Sequence, residues 1–262
     1  MKKLLSSMFY QLARDGAMYR LTGLFVVALA VFGFVIGLTS DETPCAGRLI
    51  VDSPSLLWMF QTMLIAILTS TICAADFKDK DLYYELMAGH SRAELFFSKA
   101  VPATFLTALV ACVLTFVPVI SCFLIYGWGD LIEAGSAILR LLLFFFPYLR
   151  MSAFFTLIAF LCKKRIVCIA LGYFAMCGGI FLNSVIIRPG SFLSCFFNLQ
   201  DLCDFSTWSV YQLDPEKGIV NYTAYDSAIG SGLIVGTILI SLLISAVYLL
   251  AGYGFFRRDD LD

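Results

Sequence analysis

Residues 100–129 read AVPATFLTALVACVLTFVPVISCFLIYGWG, thirty residues without a charged side chain. An α-helix rises about 1.5 Å per residue, so about twenty apolar residues cross a hydrocarbon core about 30 Å thick. Three further charge-free runs reach that length, at residues 21–40, 53–75 and 227–256. None of these runs alternates polar and apolar residues as the strands of a membrane β-barrel do. They predict a membrane protein built from helices.

Two more runs raise the expected number of spans to six. Residues 166–187 are uncharged, and residues 134–162 are apolar apart from Arg140 and Arg150. With 60% hydrophobic and 14% charged residues, the chain has too few charges to cover a soluble domain of its size. We therefore expect an all-α integral membrane protein forming a single transmembrane domain over residues 1–262. Its spans are expected at residues 21–40, 54–75, 101–126, 136–161, 166–187 and 228–255.

The basic residues outside the spans predict the orientation of the chain. Along the N-terminal segment, the five loops and the tail, Lys and Arg number 4, 1, 4, 0, 3, 2 and 2. Segments rich in Lys and Arg stay in the cytoplasm, and long loops such as residues 188–227 weigh least in this rule. We therefore expect a multi-pass protein of the plasma membrane, in a bacterial host, with both termini in the cytoplasm.

Residues 1–20 carry charges throughout and so do not have the form of a signal peptide. Apolar side chains follow one stripe of this segment, which predicts an amphipathic interfacial helix on the inner leaflet. The alternative is a plain cytoplasmic extension of the first span.

Several kinds of chemistry are missing from the sequence. Its one histidine, His90, and the lack of a Cys-x-x-Cys pair predict no metal site, and we expect no cofactor on this chain. The chain has no P-loop for ATP. No acidic residue lies in the middle of a span, which argues against an ion-coupled carrier. Without a histidine in a span, no nucleophile–base pair is available, so we do not expect an enzyme. We also expect no nucleic-acid partner.

The outer loop, residues 188–227, contains five acidic residues that either attract a cationic substrate or simply solvate the outer face. Cys195 and Cys203 are the easiest pair for a disulfide in this loop, and free thiols are the alternative. Within the spans, the polar residues Arg140, Arg150 and Asn183 either line a path or join helices.

The second cytoplasmic loop, residues 76–100, has the most informative sequence. Residues 76–89 combine charge at the start, an apolar face and a terminal Gly89, which predicts a helix that stops at this glycine. Ser91-Arg92-Ala93-Glu94 has the form of a capping box, which predicts a second helix continuing into the third span. Such a helix–turn–helix either docks on a partner or rests on the lipid surface. Its periodicity alone does not decide between the two.

Three short motifs in this loop are Asp76-Phe77, Gly89-His90-Ser91-Arg92 and Ser98-Lys99. The tail, residues 252–261, adds an aromatic-basic-acidic ending. In these motifs, and in the layout of the whole chain, the sequence resembles the permease subunits of type 2 ABC exporters. Within that family, the resemblance points to the branch of bacteriocin, lantibiotic or peptide export.

The resemblance implies that residues 76–100 hold a coupling helix, which docks on a separate ABC ATPase subunit. Two permeases, identical or homologous, and two ATPase subunits then form the working unit. ATP and Mg are bound by the partner, and short outer helices precede the last span. The residues expected at the docking contact are Phe77, Leu82, Tyr83, Glu85, Leu86, Gly89, Ser91 and Arg92.

The function expected from these features is export of a hydrophobic or amphipathic substrate, such as a peptide, drug or lipid. The alternative is a non-transporting membrane protein that acts in immunity, assembly or sensing.

Overall fold

The computed structural model describes residues 10, 14, 16–39, 45–52, 54–78, 86–89, 91–129, 131–174, 206–214, 218–226 and 230–258. Long helices dominate these ranges. They are α1 (Gly16–Thr39), α2 (Ala46–Asp52), α3 (Pro54–Lys78), α4 (Arg92–Tyr126), α5 (Ala134–Leu143), α6 (Phe145–Cys162), α7 (Arg165–Phe174) and α8 (Ser231–Arg258). Two strands, β1 (Ser206–Asp214) and β2 (Gly218–Asp226), precede α8.

Among the described residues, four segments are long and apolar enough to cross a membrane: Met18–Val35, Arg92–Tyr126, Ala134–Cys162 and Ile234–Arg258. The expectation of a helical, multi-pass membrane protein is thus confirmed. The apolar runs described in α3 and α7 are shorter, and residues 175–187 of the expected fifth span lie outside the described part. The count of six spans therefore stays a prediction.

Helix α4 is the centre of the bundle. The Ser91 side chain accepts a hydrogen bond from Glu94 N (3.2 Å), and the Glu94 carboxylate accepts one from Ser91 N (3.4 Å). The predicted capping box is therefore confirmed. From this start α4 runs for 35 residues and contacts α1, α2, α3, α5, α6 and α8.

The contacts fix the relative directions of three helices. Thr104 and Thr115 of α4 meet Thr156 and Tyr148 of α6, so these helices are antiparallel. Phe154 of α6 contacts Tyr248 of α8, and Phe160 contacts Phe256. Residue numbers therefore increase in the same direction along both helices, which are parallel. The end of α6 and the start of α8 therefore lie at opposite ends of the bundle.

The expected fourth span contains a break. Helix α5 ends at Leu143, Phe144 forms a turn, and α6 starts at Phe145. Pro147 has no N–H to donate to the Leu143 carbonyl, and its ring disturbs the helix at that turn.

Helix α1 shows no boundary where an interfacial helix was expected to end. It runs unbroken from Gly16 to Thr39, and Arg20 Nε donates to Gly16 O (3.1 Å). Residues 16–20 are therefore continuous with the first span. An interfacial helix over the earlier residues stays a prediction.

The short helices expected in the outer loop are not found in its described part, which forms an antiparallel β-hairpin instead. Its register runs from Ser206 opposite Asp226 to Asp214 opposite Gly218. Both strands are rich in the β-branched and aromatic residues that favour strands. The expectation of helices came from the family resemblance, and this local propensity overrides it. Residues 188–205 lie outside the described ranges.

Helices α1 and α4 approach closely at Gly33. A Cβ atom placed there would lie 2.5 Å from the Pro118 carbonyl oxygen, whereas one at Gly23 of the same helix would have nothing within 4 Å. Small residues permit such approaches between helices in lipid.

We expect Gly33→Ala to lower the free energy of unfolding by about 1–3 kcal/mol, because the added methyl group forces α1 and α4 apart. Gly23→Ala is the matched control and should be neutral or stabilising by up to about 1 kcal/mol. The measurement is unfolding of the purified protein by SDS in mixed micelles. Equal stability of the two variants would show that α1 does not pack on Pro118.

Candidate functional site

One end of the bundle, where α4 begins and α6 and α8 end, collects positive charge. We call it the basic end. Its basic residues are Arg92, Lys99, Lys163, Lys164, Arg165, Arg257 and Arg258. The turn at the opposite end, residues 127–133, contains none.

An aromatic cluster joins three helices at the basic end. The fully buried Phe96 ring of α4 lies 4.6 Å from the Phe160 ring of α6, centroid to centroid, and 5.8 Å from the rings of Tyr253 and Phe256 in α8. A Cβ atom at Gly252 would lie 3.1 Å from Phe96 Cζ, so this glycine lets α8 approach. The start of α4 is thus packed tightly against the ends of α6 and α8.

The predicted helix stop and restart lie just beyond this cluster. Residues 86 and 87 are helical, and Gly89 closes the turn with a φ of 92°, where glycine is favoured. Gly89 N donates to Leu86 O (3.0 Å). Met87 is 70% exposed. An apolar side chain therefore projects from the turn next to the capped start of α4.

The Arg92 side chain links this turn to the C-terminal end of α8. Its Nη1 atom donates to the carbonyl oxygen of Arg257 in the last turn of α8 (3.0 Å). A carbonyl near a helix C-terminus lacks a partner within its helix, so a guanidinium satisfies it. Arg92 therefore links the turn to α8 in addition to any docking role.

The structure brings together part of the predicted docking set: Leu86, Gly89, Ser91 and Arg92. The backbone of Phe77 belongs to the end of α3, and its side chain is not described. Several other predicted residues lie outside the described ranges: Leu82, Tyr83, Glu85, Asn183, Cys195 and Cys203. Their predicted roles stay predictions.

Both arginines of the expected fourth span are buried. The side chain of Arg140 is 3% exposed and that of Arg150 is 6% exposed. Phe154, one turn along α6 from Arg150, packs edge-on against the Tyr248 ring of α8 at 5.5 Å, so Arg150 lies on the side of α6 that is turned toward α8. Arg150 therefore belongs to the contact between α6 and α8, and Arg140 packs within the protein rather than extending into the lipid headgroups.

Hydroxyl groups line the contact of α3, α4 and α6, a feature that the sequence analysis missed. Thr115 Oγ1 and Tyr148 OH share a hydrogen bond of 2.9 Å, and Thr104 Oγ1 lies 3.2 Å from Thr156 Oγ1. Between them, the hydroxyl groups of Thr107 and Ser152 share a hydrogen bond, and Thr69 Oγ1 of α3 lies 3.4 Å from each of these two hydroxyl oxygens. Tyr148, Ser152 and Thr156 follow each other at intervals of four, which was the available signal.

Gln61 is a second buried polar residue of α3, on the turns before Thr69. Its side chain is completely buried, and neither amide atom has a hydrogen-bond partner among the described residues. A buried amide without a partner is costly in an apolar environment, so this position is a weak point of the core.

The described residues contain no group of three or more His, Cys, Asp or Glu side chains suited to a metal. The expectations of no metal and no cofactor stay predictions, because part of the chain is not described. Six cysteines in the described part are free thiols: Cys45, Cys73, Cys112, Cys122, Cys162 and Cys168.

Comparison with known proteins assigns no family to the chain. No protein-family model matches it, and no curated protein matches it. A functional assignment therefore depends on the sequence and geometry of the chain itself.

We expect the bond between Thr115 and Tyr148 to contribute to stability. In a double-mutant cycle, Thr115→Val and Tyr148→Phe should couple by about 0.6–1.7 kcal/mol, the range found for buried hydrogen bonds in membrane proteins. Unfolding by SDS measures each variant. Ser121, whose hydroxyl donates to Val117 O of its own helix (2.8 Å), provides the control. Thr115→Val and Ser121→Ala should be additive. A coupling of zero between the first two variants would contradict the bond.

Proposed function

We propose that this chain is the membrane-spanning permease subunit of a type 2 ABC exporter, with ATP hydrolysed by a separate subunit. The observation that carries the proposal is the junction at the basic end. There a turn with an exposed apolar residue precedes the capped start of α4, and α4 is packed rigidly against two other helices. A helix held in this way can transmit a displacement that a partner outside the membrane applies to the turn before α4.

The length of α4 supports the same role. Its 35 residues measure about 52 Å at about 1.5 Å per residue, well beyond a hydrocarbon core of about 30 Å. At least one end must therefore extend into the headgroup region. A displacement at Gly89 or Ser91 would act on α4 directly, without an intervening flexible loop.

Movement of α4 would be passed on through specific contacts. Phe96 would carry it to Phe160 and Phe256, and the bond from Arg92 to the Arg257 carbonyl would carry it to the end of α8. Closure of two ATPase subunits would thus shift α6 and α8 as well as α4. Packed interfaces transmit such shifts because they resist continuous deformation.

The proposed substrate is hydrophobic or amphipathic: a peptide, drug or lipid. The apolar composition of the spans supports this class, and bacteriocin or other peptide export is the preferred branch.

Arg150 can serve either the path or the contact between α6 and α8. Arg150→Leu distinguishes these roles, because loss of export from an intact assembly indicates the path and failure to assemble indicates structure.

The proposed orientation puts the basic end and both termini in the cytoplasm of a bacterial cell, following the positive-inside rule. We expect a fusion of alkaline phosphatase after Gly129 to be active, because that turn would face outward. The same enzyme fused after Lys164 should be inactive, while green fluorescent protein fused there should fluoresce. The reverse pattern would overturn the orientation.

The partner is tested by coexpressing the chain with a candidate ABC ATPase subunit and copurifying the two. We expect Glu85→Arg and Met87→Asp each to reduce recovery of the ATPase by about tenfold, because a charge of the wrong sign or a buried carboxylate would enter the docking contact. Glu133→Arg is the matched control, since Glu133 is exposed at the opposite end.

Normal recovery of the ATPase with both docking variants would contradict the role of residues 76–100. Failure of the wild-type chain to retain any ATPase would favour the alternative, a non-transporting membrane protein.

A further inference from the structure

An open groove lies at the basic end on the side of α1. Its volume is about 400 Å³, within the range of about 300–1,000 Å³ typical of small-molecule sites. Helices α1, α3 and α7 line it. The lining residues are Met18, Arg20, Leu21, Leu24, Thr71 and Arg165.

The groove has an apolar wall and a basic rim. Leu21 and Leu24 belong to the part of α1 that is long and apolar enough to cross a membrane, and Leu24 is 66% exposed. Arg20 and Arg165 contribute two exposed guanidinium groups from different helices. Apolar surface therefore lies next to paired positive charge.

The guanidinium of Arg20 is held in a defined position. Its Nε atom donates to Gly16 O (3.1 Å), one turn closer to the basic end. The side chain therefore extends back along α1, away from the apolar wall, as arginines do when they reach from a span to the headgroup level. The bond uses the Nε hydrogen, and the four Nη hydrogens are the donors suited to a phosphate.

Arg165 provides a second charge at the same level. It starts α7 directly after Lys163 and Lys164, in the turn that follows α6. These two charges would repel a cationic occupant and attract an anionic one. Charge complementarity therefore selects an anionic occupant.

From these observations we infer that the groove binds one anionic phospholipid of the surrounding leaflet. Its phosphate lies between Arg20 and Arg165, and one acyl chain packs along Leu21 and Leu24. The groove shares no lining residue with the aromatic cluster around Phe96 or with the docking turn at Gly89, so the inference stands whether or not the chain is an exporter.

Native mass spectrometry of the full chain in detergent micelles tests the site, with dioleoylphosphatidylglycerol or dioleoylphosphatidylcholine as the added lipid. The wild-type chain should retain one phosphatidylglycerol molecule at concentrations where phosphatidylcholine is lost. The double variant Arg20→Gln, Arg165→Gln should retain it about tenfold more weakly, because each arginine near an anionic lipid strengthens binding severalfold.

Arg257→Gln with Arg258→Gln is the matched control. It removes the same charge from the same end but outside the groove, and it should retain phosphatidylglycerol as the wild type does. Inorganic phosphate added in excess should displace little lipid, because the acyl chain contributes to binding. Full displacement by phosphate would show a free-anion site and overturn the lipid assignment.

Equal retention of the two lipids by the wild-type chain overturns the proposal, even if the groove variant proves unstable. The proposal is also overturned if the folded double variant Arg20→Gln, Arg165→Gln retains phosphatidylglycerol as strongly as the wild type. A wild-type dimer that dissociates in the groove variant, with unchanged lipid binding, would assign the groove to a second copy of the chain.

Discussion

The contact between α4 and α6 is the interaction on which the rest of the bundle depends. Helices in lipid gain little from hydrophobic association, because acyl chains are as apolar as leucine, so close packing and hydrogen bonds must hold them together. Both are present here. The two helices pack closely along their length, and Thr115 and Tyr148 share a buried hydrogen bond.

The same contact organises the other helices. Thr69 brings α3 against Thr107 and Ser152, and the Phe96 ring at the basic end brings in α8. Helix α7 packs back on α6, where Cys168 Sγ donates to the carbonyl oxygen of Phe155 (3.8 Å). The described helices therefore share α4 or α6 as a common neighbour, and a displacement of α4 reaches most of the bundle.

The placement of charge follows from the cost of burying it. An arginine at the centre of a span costs about 2.5–3.5 kcal/mol on insertion scales, so Arg150 is buried within the protein rather than exposed to lipid. Arg20 and Arg92 avoid that cost by lying near helix ends at the basic end. There they remain available for contacts with lipid or with a soluble partner.

Local features could be predicted from the sequence because neighbouring residues determine them. The spans around α1, α4 and α8, the stop at Gly89 and the capping box of Ser91 and Glu94 are of this kind. The β-hairpin also had a local signal in its β-branched and aromatic residues, but the family resemblance pointed to helices. The sequence could not reveal which face of each span is buried, because both faces are apolar in a membrane protein.

On α4, for example, Phe105 is half exposed while Phe96 is fully buried, although both are phenylalanines of one helix. Three tertiary contacts join residues far apart in the chain: the hydrogen bond between Thr115 and Tyr148, the ring contact between Phe154 and Tyr248, and the groove lined by Arg20 and Arg165. The sequence by itself determined that residues 100–129 form a membrane-crossing helix, because length and the absence of charge suffice for that. Only the tertiary structure decided that this helix is central, because that depends on shape and hydrogen bonding between helices rather than on hydrophobicity.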